Sequence, residues 1–117
     1  MTTVMDEKTF RKRTDQLFQS MTQVFEAIDP DVVECEYANG NVVLLFADRT
    51  KCILSQQPSV RQIWLANASE GVALHFSFSE GERRWLDDKG QGIDLLGYVE
   101  ALVLKRSGEK IDLRARS

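Results

Sequence analysis

Hydrophobic residues recur every three or four positions near both ends of the chain, whereas between those stretches they alternate with polar residues. Over residues 6–28 the apolar positions fall within roughly a third of a helical circumference, which predicts an amphipathic helix. The same spacing over residues 92–105 predicts a second helix. Six short strand-like runs lie between the two helices, at 32–38, 41–48, 51–55, 61–66, 72–79 and 82–87.

Turn-forming residues separate these strands. The Asn39-Gly40 pair suits a type I′ hairpin, and Gly81 and Gly90 mark two later reversals. Such short connections predict an antiparallel meander, because parallel strands need long crossovers. We therefore predict an α+β fold, a two-layer sandwich in which an antiparallel sheet of five to six strands carries both helices on one face. With 117 residues, one domain over 1–117 is expected.

Whether Trp64 is buried or exposed depends on this architecture. Alternation places Ile63 and Leu65 on one face of their strand, and Gln62 and Trp64 on the other. If one sheet face is open, the indole is exposed, and exposed tryptophans are favoured anchors in protein interfaces. If helices cover both faces, Trp64 is core instead. Two predicted helices can both cover one face and leave the other in water, and this two-layer arrangement favours exposure.

The net charge of −3 is unevenly distributed. Between Thr14 and Asp48 there is no Lys or Arg, and the cations lie towards the two ends. A split of this kind argues against a nucleic-acid partner, which needs a continuous basic face. No apolar run is long enough to span a bilayer, and the first residues lack the basic-then-apolar plan of a secretory signal. We expect a cytoplasmic protein with no membrane partner.

Carboxylates are the main candidates for metal chemistry. They follow the first helix and enter the next strand, and we call them the acidic ridge: Glu26, Asp29, Asp31, Glu34 and Glu36. Alternation puts Glu34 and Glu36 on one strand face, while Glu26 and Asp29 are one helical turn apart. Oxygen ligands of this kind suit hard cations. The alternative is a solvated acidic face that only keeps the protein soluble.

Little else in the sequence suggests catalysis. His75 is the only histidine, which excludes a multi-histidine metal centre and disfavours an iron-oxidising enzyme, because such an enzyme needs a cluster of carboxylates and histidines. His75 itself is interpreted as a structural or surface residue. Cys35 and Cys52 show no Cys-x-x-Cys spacing and are interpreted as reduced, apolar residues. Phosphate-loop and nucleophile-elbow motifs are absent from the sequence. We expect a protein that is not an enzyme and has no organic cofactor.

One segment carries a family resemblance. Gln57-Pro58 followed by residues 62–66, Gln-Ile-Trp-Leu-Ala, resembles the central signature of the frataxin family in its bacterial CyaY-type form. Residues 14–18, 74–76 and Trp85 occur in the order that the family shows, so the resemblance spans nearly the whole chain. Residues 108–113 look more like the tail of mitochondrial members, and we expect this tail to be extended and to pack back on the helices.

The resemblance implies the two-layer fold and a set of roles. Weak, surface-bound iron, ferrous or ferric, is implied at Asp15, Glu26, Asp29, Asp31, Glu34 and Glu36. Contact with the cysteine desulfurase and scaffold of iron-sulfur cluster assembly is implied at Gln57, Arg61 and Trp64. The expected protein is a monomer with iron-dependent oligomers as an option, and it modulates cluster assembly without turning over substrate.

The chain departs from the family pattern at four positions. Thr22, Gln23 and Ala27 stand where the helix is commonly acidic. Ser55 occupies the place of an asparagine. An alternative function follows from these departures, namely a non-catalytic protein-interaction module of the same fold without significant iron binding.

Overall fold

The computed structural model describes residues 5–114. The elements, in chain order, are α1 (Glu7–Phe25), β1 (Val33–Ala38), β2 (Asn41–Phe46), β3 (Lys51–Gln57), a 3-10 turn (Pro58–Val60), β4 (Gln62–Asn67), β5 (Val72–Ser79), β6 (Arg84–Asp87) and α2 (Leu95–Ser107). The domain predicted over residues 1–117 therefore extends at both ends outside the described residues.

The predicted α+β fold is confirmed. Within the described part of the chain, six strands pair with their neighbours in sequence, all antiparallel, in the order β1 to β6. Inward side chains of the strands, including Val42, Leu54, Ile63 and Phe76, are fully buried beneath the helices. Phe10 and Phe18 of α1 lie in the same core, as do apolar residues of α2. Alternating burial along each strand thus builds one core on one side of the sheet.

The helix α1 ends earlier than predicted, and the helix α2 begins later than predicted. The helix α1 ends at Phe25 rather than near residue 28, because the next amides, of Ala27 and Ile28, bond to carbonyls three residues back and tighten the last turn. Its partner α2 begins at Leu95 rather than near residue 92, because Asp94 caps it by accepting the N–H of Gly97.

Asp87 fixes the loop between β6 and α2. Its buried carboxylate accepts the backbone N–H groups of Lys89, Gln91 and Ile93. These hydrogen bonds, that of Gln91 first, hold the pKa of Asp87 below its ordinary value. The loop that delivers α2 to the sheet is therefore organised around one ionised side chain.

The tail after α2 packs back on the helix, as predicted. Gly108 ends the helix in the left-handed conformation, with φ of 77°. Leu113 is then buried in the core, and its N–H donates to the carboxylate of Glu100. Arg114 pairs with Asp94 at the start of the same helix. The tail therefore runs back along α2 and closes the helical layer.

Truncating the tail's buried residue tests this packing. We expect Leu113→Ala to lower the free energy of unfolding by about 2–5 kcal/mol, because it leaves a cavity in the core. Exposed Lys110→Ala in the same segment should change it by less than about 0.5 kcal/mol. Urea denaturation of both variants measures the difference, and equal stabilities would show that the tail contributes no packing.

Asp87 gives a pH-dependent prediction. A carboxylate whose pKa is lowered by folding stabilises the protein above its ordinary pKa, and that contribution is lost as the pH falls through the lowered value. Asp87→Asn should therefore be less stable than the wild type at pH 7, and the gap should narrow towards pH 2. Urea denaturation at several pH values measures it, with exposed Asp31→Asn as the control. A gap that does not change with pH would contradict the assignment.

Candidate docking face and acidic ridge

No helix within residues 5–114 covers the sheet face turned away from α1 and α2, and we call this face the open face. Register places Trp64 beside His75 on β5 and beside Ser55 on β3. The next row across the sheet contains Glu36, Val43, Ile53 and Ala66. Ile53 and Trp64 are diagonal neighbours on β3 and β4, and they are exposed on this face by 38% and 36% respectively.

The predicted alternation around Trp64 is confirmed. Ile63 is fully buried and Leu65 is 2% exposed, whereas Trp64 between them faces outward. The indole does not lie loose on the surface. Its ring stacks on the ring of His75, with centroids 4.2 Å apart and planes inclined by 10°. His75 is therefore a surface residue, as expected, and it supports the tryptophan.

Gln62 holds the indole from its polar edge. Its Oε1 accepts the Nε1–H of Trp64 at 2.8 Å, and its Nε2 donates to Ser77 and Asp88, both at 3.2 Å. The same oxygen of Asp88 lies 3.7 Å from Nδ1 of His75. One face of the ring and its N–H are thus fixed, which lowers the entropy lost when a partner covers the other face.

The other two predicted partner residues are differently placed. Gln57 lies at the end of β3 opposite Gln62, and its amide donates to Ser55. Arg61 adopts φ of 52° and donates to the carbonyls of Met5, Pro58 and Ser59. The guanidinium of Arg61 therefore holds the turn that leads into β4, while Gln57 extends the polar border of the open face.

The acidic ridge runs from the end of α1 onto β1. Glu26 caps the helix, and Glu34 and Glu36 are exposed on the open-face side of β1. Asp29 lies beyond the helix end rather than one helical turn after Glu26, and its carboxylate accepts the N–H of Asp31. Three strand spacings, about 14 Å, separate β1 from β4. The ridge therefore borders the open face at its β1 edge.

Asp15 differs from the residues of the acidic ridge because its carboxylate is engaged in hydrogen bonds to the sheet. Its half-buried carboxylate accepts the hydroxyl of Tyr37 and, at 2.9 Å, the amide of Gln56. Burial and then the hydrogen bond to Asp15 raise the pKa of Tyr37 to about 12. The structure thus gives Asp15 a role in joining α1 to the sheet.

Within residues 5–114, no three His, Cys, Asp or Glu side chains converge as ligands for one metal ion. Cys35 and Cys52 are unbonded thiols, and burial raises the pKa of each to about 12, so both are protonated. In the same range no helix has the length and apolarity needed to cross a membrane. Any metal ion bound at the acidic ridge would therefore be held by exposed carboxylates that do not converge on one position.

Sequence reasoning missed the support of Trp64 by Gln62 and Asp88. A signal for His75 was present, since a short β4–β5 turn pairs residues equally far from its centre, and Trp64 and His75 are such a pair. The contacts of Gln62 had no such signal, because Asp88 comes from a loop after the next strand.

Comparison with known proteins gives the family. Residues 3–108 match the family model of the frataxin-like domain. The chain belongs to the frataxin family. A relative from Tolumonas auensis, named iron-sulfur cluster assembly protein CyaY, is 31% identical over 109 residues, covering 93% of this chain and 99% of the relative. One of the same name from Azotobacter vinelandii is 36% identical over 109 residues, covering 92% and 94%.

Solved frataxin structures agree with the fold. Frataxin from Psychromonas ingrahamii superposes with a TM-score of 0.81 at 28% identity, over 93% of this chain and 98% of that one. A trimeric frataxin from Saccharomyces cerevisiae, solved in complex with ferrous iron, has a TM-score of 0.66 at 24% identity, over 93% and 92% of the two chains. The second likeness concerns the fold alone.

Removing the amide of Gln62 tests whether the indole is fixed. We expect Gln62→Ala to speed solvent exchange of the Trp64 Nε1–H by about tenfold, because it loses a hydrogen bond of about 1 kcal/mol or more. The indole signal of Trp85, which is buried elsewhere, should stay unchanged. Proton NMR resolves both signals, and an unaltered Trp64 exchange rate would contradict the role given to Gln62.

Proposed function

We propose that this frataxin-family protein acts in iron-sulfur cluster assembly. It docks its open face on a cysteine desulfurase and scaffold complex, carries iron weakly on its acidic ridge, and modulates the complex without turning over a substrate. The observation that carries the proposal is the exposed indole of Trp64, fixed by Gln62 and His75 in the centre of an uncovered sheet.

The surface chemistry of the open face suits a protein partner. Val43, Ile53 and Trp64 form an apolar centre, and Gln57 and Glu36 lie on its polar border. A desolvated aromatic centre within a polar rim is the usual arrangement of strong interface residues. The relatives named for iron-sulfur cluster assembly direct the choice of partner to that machinery.

The ridge supports two roles for its charge. In the described residues, the carboxylates of Glu26, Glu34 and Glu36 have no ion-pair partner, so they remain available to a cation. A spread of exposed oxygen ligands favours weak binding of a hard ion. The same charges would speed encounter with a basic patch on a partner. A yeast protein of this fold, solved with ferrous iron, makes iron the metal to test.

The docking part is tested by removing the indole. We expect Trp64→Ala to weaken binding to the desulfurase and scaffold complex by about 30-fold or more, the effect of losing a central interface residue worth about 2 kcal/mol. Leu104→Ala is the matched control, since Leu104 is 50% exposed on α2, in the layer away from the open face. Calorimetric titration measures the affinity of both folded variants for the complex. Equal affinities of the Trp64→Ala and Leu104→Ala variants would exclude the open face as the docking surface.

The iron part is tested by neutralising three ridge carboxylates. Glu26→Gln, Glu34→Gln and Glu36→Gln together should weaken ferrous iron binding by about tenfold or more, because affinity follows the charge of the ligand set. The control changes the net charge equally at Glu7, Glu82 and Glu109, which lie outside the ridge. Anaerobic titration with ferrous iron compares the two variants. Equal losses of iron affinity would show that the ridge acts only through the net charge of the protein.

A second candidate function is a metal-free interaction module of the same fold. It is favoured by Thr22, Gln23 and Ala27, which leave α1 without further carboxylates beside Glu26, and by the use of Asp15 as a structural acceptor. In that case Trp64→Ala still weakens docking by about 30-fold or more, whereas neither the wild type nor the ridge variant binds ferrous iron significantly. The two titrations together separate the candidates.

A further inference from the structure

A groove unrelated to the open face lies in the helical layer. It runs between α1 and the β5–β6 hairpin, ends at the start of α2, and encloses about 650 Å³. That volume lies in the range of small-molecule sites. Its position on the opposite layer of the sandwich separates it from Trp64.

The floor of this groove is apolar and its rim is cationic. Leu17, Phe78, Trp85 and Leu96 line the floor, and we name the site the arginine groove after the three arginines of its wall: Arg13, Arg83 and Arg84. Asp94 also lines the groove, where it pairs with Arg114, and Arg84 pairs with Glu82. The positive charge that is not balanced one to one therefore lies at Arg13 and Arg83, which share the single carboxylate of Glu80.

Two of these guanidinium groups are held over one aromatic ring. The Cζ atom of Arg13 lies 4.2 Å from the ring centroid of Phe78, and that of Arg83 lies 5.7 Å from it. Phe78 is fixed in turn by an edge contact with Trp85, at 5.3 Å between centroids. Stacking of this kind preorganises the planar donors for an anion.

The protein already places an anion between them. One oxygen of Glu80 lies 3.3 Å from Arg13, and the other lies 3.5 Å from Arg83. The Glu80 side chain is 55% exposed, so it is free to leave at little cost. Two guanidiniums and one carboxylate carry a net charge of +1, which favours a second anion or exchange of the first.

We propose that the arginine groove binds a small organic anion with one carboxylate or phosphate group on an apolar body. The charged group takes the place of the Glu80 carboxylate between Arg13 and Arg83. The apolar body lies on the floor beside Trp85. A concave site of this size fits a small molecule, and an acidic polypeptide would need a longer surface.

Titration of the ¹⁵N-labelled protein tests the proposal, with octanoate and octyl phosphate as probes. We expect saturable shifts of the Trp85 indole signal and of the β5–β6 hairpin, while the Trp64 indole stays unmoved. Octanol lacks the charge and inorganic phosphate lacks the apolar body, so both should give much smaller shifts. The two octyl probes distinguish carboxylate from phosphate preference.

Variants assign the binding to the guanidinium pair. Arg13→Gln should weaken the octyl probe by about tenfold or more, because a charged hydrogen bond is lost. Lys12→Gln, with the same charge change on an exposed neighbour, should leave it unchanged. Glu80→Gln should tighten binding severalfold by removing the competing carboxylate.

Several results would overturn the proposal. These are an absence of saturable shifts with folded protein, equal affinity in Arg13→Gln, or shifts centred on Trp64. If octanol shifts the signals as much as the octyl anions do, the groove binds apolar molecules without regard to charge. If inorganic phosphate shifts them equally, the apolar body contributes nothing to binding. Binding of a glutamate-rich peptide without binding of the octyl probes would indicate a macromolecular partner instead.

Discussion

Alternation of side chains across six antiparallel strands is the constraint on which the rest of this structure depends. Inward residues such as Leu54 and Ile63 require the helical layer, because burying their apolar surface is the main source of stability. The same alternation sends Trp64 outward, to the sheet face that the two helices within residues 5–114 do not cover. The buried core and the exposed indole are thus two consequences of one pattern.

The contacts that fix the indole on the open face are local and mainly polar. Gln62 bonds the indole edge, and His75 covers one ring face, so the tryptophan presents its remaining surface in a fixed orientation. The acidic ridge borders this surface on β1 rather than forming a closed metal cage. Under the proposed function, docking therefore depends on shape at the centre and on charge at the edge.

The fold was predictable because it follows from periodicity, which the sequence displays directly. Strand β5 was predicted with its observed bounds, and the exposure of Trp64 followed from the strand pattern. The family resemblance implied an iron-binding role for Asp15 together with the acidic ridge, and the structure shows its carboxylate accepting hydrogen bonds from Tyr37 and Gln56. Helical spacing predicts which side of a helix a residue lies on, but it does not predict which side chains of other elements will contact that residue.

The network of Gln62 and the arginine groove depend on contacts between distant segments. Asp88 meets Gln62, and Arg13 meets Glu80 across 67 residues of sequence. Such contacts arise only after the sheet register and the helix positions are set. Sequence patterns predict elements and faces, whereas the pairing of side chains across elements needs the assembled fold.

The most direct test is the rate of sulfide production by the cysteine desulfurase and scaffold, measured with and without this protein at several iron concentrations. The account predicts a change in rate that saturates with added protein and depends on iron. An unchanged rate in the presence of the folded protein, at every iron concentration, would contradict the proposed role in cluster assembly.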